Sequence, residues 1–163
     1  MSSKHCRHAG EADREPYHYT ACGLDNVWLL SGYDITSTRY GDAVTIRHLD
    51  DLHRLIACGL VTEKKILSGP ELRFLRKEMG LSQLELAKRL RMSDQAVARW
   101  EKGENEMPGP ADILVRVLYC EHIGVQLDTS FNDLANVLAE KDAGPDTRLE
   151  FEETDSGWRA LAA

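Results

Sequence analysis

The stretch that most constrains this chain runs from Ser82 to Gly103, SQLELAKRLRMSDQAVARWEKG. Ser82 and Glu85 have the spacing of a capping box, in which each side chain satisfies the other residue's backbone N–H at the start of a helix. Leu86, Ala87 and Leu90 then recur on one face of that helix. The pattern breaks at Arg91-Met92, and Ser93 follows as a second N-cap. Ala96, Val97 and Trp100 give the next helix an apolar face, and Gly103 can adopt the left-handed conformation that stops it. Asp94, Gln95, Arg99 and Lys102 fall on the opposite face. The spacing predicts two short helices joined by a tight turn, the second carrying a polar face with the paired donors and acceptors that base edges in a major groove require.

The string Leu81-Ser82-Gln83-x-x-Leu86-Ala87, then Met92-Ser93, then Val97-x-x-Trp100-Glu101-x-Gly103, resembles the helix-turn-helix domain of the Cro/CI (XRE) repressor family. The resemblance extends from Leu67 to about His122. It implies that Gln83, at the start of the first helix, touches phosphate, and that Asp94, Gln95 and Arg99 occupy base-facing positions of the recognition helix. Ser93 and Lys102 complete the expected DNA-binding set. Gln95 can bridge adenine N6 and N7, and Arg99 can bridge guanine O6 and N7 or clamp a phosphate. Asp94 departs from that chemistry, because a carboxylate only accepts. It can accept a hydrogen bond from the cytosine N4 amino group, it can repel phosphate, or it can serve the positive end of the helix dipole. One recognition helix covers about 4–5 bp, so useful specificity implies a homodimer on two half-sites about one helical turn apart.

Charge at first argues against a nucleic-acid partner, since 20 Lys and Arg stand against 27 Asp and Glu, a net −7. Its distribution reverses the objection locally. Within Ser82–Lys102 the cations Lys88, Arg89, Arg91, Arg99 and Lys102 outnumber Glu85, Asp94 and Glu101, and the excess acid lies after Ile123. The hydrophobic share of 42% is enough to build a core. No apolar run approaches the roughly 20 residues that span a bilayer, and the N-terminus has no apolar signal core. These features predict a soluble, cytoplasmic protein without a membrane partner. The four cysteines are widely and irregularly spaced, which reads as reduced thiols.

Taken in order, the chain predicts an α+β protein: a small N-terminal β-hairpin plus helix module, followed by an all-α five-helix-type helix-turn-helix domain. Residues 1–16 are polar and aperiodic, a mobile arm. Residues 17–66 form the β-rich module. In it, strands over Asn26–Leu30 and Gly32–Thr38 lead to a turn at Tyr40-Gly41-Asp42 and a returning strand over Ala43–Ile46. A helix from Leu49 or Asp50 to about Leu60 carries Leu52, Leu55 and Ile56, with Gly59 as its end. Val61–Leu67 is a linker or short strand. A hairpin and one helix are too little to bury a core, so this module must pack on the helical domain, a second copy or another protein.

The helical domain takes residues 67–140. Ser68-Gly69-Pro70-Glu71 is a further capping box with proline in the first turn, ahead of Leu72, Leu75 and Met79 and closed by Gly80. A helix from Pro110 to about His122 presents Ile113, Leu114, Val117 and Leu118 as its buried stripe. Ser130 caps a last helix with Phe131, Leu134 and Leu138. Residues 141–163 are an acidic C-terminal tail or a short strand pair, with Leu149 and Phe151 alternating and a turn at Asp155-Ser156-Gly157.

Catalytic and cofactor signatures are lacking. The chain has no phosphate-binding loop, dinucleotide glycine pattern, His-Glu-x-x-His or Gly-x-Ser-x-Gly, and no enzyme activity is expected. Cys6, His18 and Cys22 with His5 or His8 do not make two ligand pairs of sound spacing, so no metal and no cofactor are expected either. The layout as a whole is similar to antitoxins of the MqsA (YgiT) type. There the N-terminal module binds zinc through cysteine pairs and holds a toxin, while the C-terminal module dimerises and binds operator DNA. The cysteine pairs are missing here. The resemblance implies a DNA-binding transcription regulator, a repressor or an autoregulating antitoxin with a toxin partner. The alternative is a protein-interaction or toxin-neutralising module whose helix-turn-helix no longer binds DNA.

Overall fold

The computed structural model of the protein describes residues 15–62, 66–125 and 147–162. It contains strands β1 (Tyr17–His18), β2 (Val27–Leu29), β3 (Tyr33–Thr38) and β4 (Gly41–Ile46). Helices α1 (Leu49–Thr62), α2 (Gly69–Glu78), α3 (Gln83–Leu90), α4 (Asp94–Glu101) and α5 (Gly109–His122) follow, and strands β5 (Leu149–Thr154) and β6 (Gly157–Leu161) close the chain. These elements form two compact units, one holding the strands with α1 as far as Leu55, the other holding Ala21–Leu24 and the helices from Ile56 onward. The expected arm before residue 15 and the expected helix from Ser130 lie outside the described residues, as do Cys6, His5 and His8.

In the first unit a four-stranded sheet has the order β1-β2-β5-β6, and β3-β4 form a separate two-stranded ladder. Of the two expectations for the C-terminal segment, its described residues take the strand form, as the antiparallel pair β5-β6. β5 pairs in parallel with β2, Val27 against Leu149 and Leu29 against Phe151. Ladder bonds run on at both ends, from Leu149 N–H to Asn26 O at 2.8 Å and from Leu30 N–H to Phe151 O at 2.8 Å. Val27, Leu29 and Phe151 are buried with Tyr19, Tyr33 and Leu52. The N-terminal strands therefore complete their sheet with strands from the other end of the chain.

The corner between β2 and β3 shows why this closure is tight. Gly32 has φ +77°, and a Cβ there would lie 2.4 Å from the Trp158 ring. Trp158 Nε1 donates to Arg47 O at 3.0 Å, and Ser31 Oγ bonds both the backbone N–H and the backbone carbonyl of Glu153. The Glu153 carboxylate takes Arg47 at 3.1 Å and His48 Nδ1 at 2.6 Å. The β3-β4 ladder closes at Thr38↔Gly41, so its turn is Arg39-Tyr40, one residue earlier than the sequence suggests.

In the second unit, two sequence expectations are corrected. α1 does not stop at Gly59 but continues to Thr62. Its last carbonyls are satisfied by side chains instead of by a left-handed glycine. Thr62 Oγ1 donates to Cys58 O and Gly59 O, and Arg116 donates to Leu60 O and Val61 O at 3.1 and 3.2 Å. The buried face of α5 is also rotated from the expected one. It consists of Asp112, Val115, Arg116, Tyr119 and Cys120, while Ile113, Val117 and Leu118 are half-buried and Leu114 is exposed. A buried acid and base can share an apolar face because they neutralise each other. Arg116 Nε meets Asp112 Oδ1 at 2.6 Å, and Asp112 Oδ2 accepts from Leu67 N–H at 2.7 Å. Among the described residues Cys22, Cys58 and Cys120 form no disulfide; burial pushes the Cys22 thiol up, and it pushes Cys120 up with a smaller contribution from Cys58.

The parallel β2-β5 contact yields the first prediction. Phe151→Ala should cost about 3–5 kcal/mol by denaturant titration and speed amide exchange in Val27–Leu29. Unchanged exchange in β2 would show that the C-terminal strand does not hold it.

Candidate nucleic-acid interface

α2, α3 and α4 begin on serine caps. The Ser68 hydroxyl accepts from Glu71 N–H and the Ser82 hydroxyl from Glu85 N–H, and both glutamates reach back to close capping boxes. Ser93 Oγ accepts from Ala96 N–H at 3.1 Å. The Glu85 carboxylate is held below its ordinary range first by the Ser82 backbone N–H and then by the Ser82 hydroxyl. A carboxyl depressed by folding stabilises the folded state above its unfolded pKa, and that contribution disappears as pH falls through the folded value. Glu85→Ala should therefore show a shallower loss of thermal stability on the acid side of the carboxylate range than the wild type. Equal acid slopes in the two proteins would remove the capping box from the account.

The three helices are fixed to one another by a buried ion pair that the sequence pattern did not reveal. Arg76 on α2 meets Glu101 at the end of α4 in a two-point contact, Nε to Oε1 at 2.5 Å and Nη2 to Oε2 at 3.0 Å. Arg76 Nη1 donates to Leu81 O at 2.8 Å, and Gln83 Nε2 on α3 donates to Glu101 Oε2 at 2.8 Å. Both charged side chains are largely buried, 10% and 4% exposed. Gly69 adds a close approach that was also missed. A Cβ there would stand 2.5 Å from Trp100 O, so only glycine lets the start of α2 rest on the end of α4.

On this frame Val97 and Trp100 point inward and Ser93, Asp94, Gln95, Arg99 and Lys102 are exposed. Gln95 and Arg99 stand one turn apart and share a face. α4 has 8 residues, a rod of about 12 Å that fits a major groove. Gln83 is half-buried and its Nε2 donates to Glu101 Oε2. The charge on this surface is more positive than the sequence count implies, because Glu101 is neutralised internally. Lys88, Arg89, Arg91, Arg99 and Lys102 are all exposed, against Glu85 and Asp94. Among the described residues no group of three or more His, Cys, Asp or Glu is placed to hold a metal ion.

Two short capped helices around a tight turn, braced by a third and presenting a cationic polar face, define a helix-turn-helix domain. A family model described as Helix-turn-helix, of the Cro/CI (XRE) kind, matches residues 72–112. The match takes in most of α2, all of α3 and α4 and the start of α5, and none of the strands. No curated protein and no solved structure matches the chain. Among the described residues no helix is long and apolar enough to cross a membrane.

Because Glu101 holds both Arg76 and Gln83, its removal should do more than lose one contact. Glu101→Ala leaves a buried cation unpaired and should cost about 3–5 kcal/mol in urea titrations. The double variant Arg76→Met with Glu101→Leu should recover much of that. A single-variant loss below about 1 kcal/mol would mean that the pair is solvated and does not brace the domain.

Proposed function

We propose that the protein is a sequence-specific DNA-binding transcription regulator that reads the major groove with α4 and binds its operator as a homodimer, acting as a repressor by occupying that site. The observation that carries this reading is the exposed face of α4. Gln95 and Arg99 lie side by side on it, within a surface whose cations outnumber its acids once Glu101 is paired internally. Gln95 suits an adenine and Arg99 a guanine. Ser93 and Lys102 lie at the two ends of α4, where they can contact phosphate and set register. Asp94 is the acceptor on this face, matched to a cytosine amino group or to the α4 dipole.

The test is competition between the operator and a scrambled duplex at fixed salt. Gln95→Ala and Arg99→Ala should each cost about 1–3 kcal/mol on the operator and relax selectivity at one base pair. If neither changes the ratio of the two affinities, α4 is not the reading helix. Light scattering with operator present should show two chains per duplex, since one helix spans too few base pairs for useful selectivity.

A further inference from the structure

Four helices of the second unit end in the same backbone motif. In each, one N–H bonds back across five residues and the preceding N–H across three, with the residue between helix and exit in the left-handed conformation. α2 ends this way at Gly80, with Leu81 N–H to Arg76 O and Gly80 N–H to Lys77 O. α4 ends so at Gly103, with Glu104 N–H to Arg99 O and Gly103 N–H to Trp100 O. α5 ends so at Gly124, with Val125 N–H to Cys120 O and Gly124 N–H to Glu121 O. Their φ angles are +67°, +71° and +70°. α3 makes the same two bonds, Met92 N–H to Ala87 O at 2.9 Å and Arg91 N–H to Lys88 O at 3.3 Å, but its left-handed residue is Arg91, at φ +53°.

Glycine has no Cβ to clash in this conformation, whereas arginine brings its Cβ against the following carbonyl oxygen. Three caps avoid that strain and one accepts it. The exception is the turn inside the helix-turn-helix, three residues before α4 begins. Strained backbone that persists at one position of a repeated motif points to a side chain wanted there for another reason. Arg91 is exposed, and no described residue pairs with its guanidinium. Packing therefore does not explain it. The α3 dipole does not require it either, because Lys88 and Arg89 already lie in the last turn of that helix.

We propose that Arg91 is a DNA-contacting residue that neutralises a backbone phosphate flanking the groove entered by α4. This rests on the DNA-binding reading above. In a helix-turn-helix the N-terminal end of the recognition helix enters the groove, which brings the turn just before it up to the sugar-phosphate edge. Arginine's planar fork suits two phosphate oxygens at once. The contact carries no sequence information; it adds affinity and fixes register.

Arg91→Gly separates the two roles because they have opposite signs. It removes the charge and relieves the backbone together. The probe is a fluorescein-labelled 30-bp duplex of random sequence, titrated with the full-length protein over a salt series. Arg91→Gly should keep or raise the wild-type Tm. It should weaken binding about fivefold at 0.15 M salt and reduce the slope of log K against log salt by about 0.9, the share of one phosphate. Arg91→Lys should restore the slope, and Arg91→Asn, which tolerates the left-handed region, should behave as glycine does. A lower Tm with an unchanged slope would overturn the proposal and make Arg91 a helix-end charge. Wild-type binding with the same slope in all variants would overturn it while leaving the DNA-binding reading intact. Failure of the wild type to bind either this duplex or its own upstream DNA would sink both.

Discussion

The helical unit depends on the ion pair between Arg76 and Glu101. Taking two charges out of water is costly, and their attraction compensates only when the geometry is good and the remaining donors and acceptors are satisfied. Here the pair is two-pointed, the spare guanidinium nitrogen bonds Leu81 O, and the spare lone pair of Glu101 takes Gln83. One cluster thus touches α2, the start of α3 and the end of α4. The angle between the two helices of the motif is set by polar bonds with narrow geometric tolerance, backed by the apolar contacts of Leu86, Val97 and Trp100. The surface proposed to read base edges would benefit from that rigidity.

The same cluster shapes the electrostatics. Glu101 is the last residue of α4, and exposed there it would add a negative charge to the surface. Buried against Arg76, it structures the domain without contributing a net charge to its surface. The exposed charges of α3, the turn and α4 are then mostly cationic, although the whole chain carries −7. Net charge is a poor guide to a nucleic-acid partner when acids and bases segregate in this way.

The first unit is governed by a different constraint. A short antiparallel pair buries too little to be stable in water and needs further strands or a helix. β5 and β6 supply them, and Phe151 fills the space beside Val27 and Leu29. The β3-β4 ladder beyond Tyr33 remains exposed on both faces, with Ile35 54% and Tyr40 87% accessible.

Local chemistry in the sequence determined a great deal. Serine caps with glutamate three residues on, period-3.6 apolar spacing and glycine stops act within one turn of the chain, so α2, α3 and α4 and their exposed polar residues were legible from Ser68 to Gly103. The hairpin strands were legible too, because alternation and β-branched residues are local signals. Tertiary structure alone decided what depends on distant residues meeting. The alternation of Leu149 and Phe151 hinted at a strand, but its interior place beside β2 is a pairing that no local pattern encodes. The buried face of α5 turned toward Asp112 and Arg116 because an ion pair, the Leu67 amide and the end of α1 satisfied their polar atoms, and a hydrophobicity pattern reads such residues as solvent-facing. Sequence counted Glu101 as one more acid and Gly69 as part of a capping box for the same reason: their neighbours, Arg76 and the carbonyl of Trp100, are brought to them by the fold.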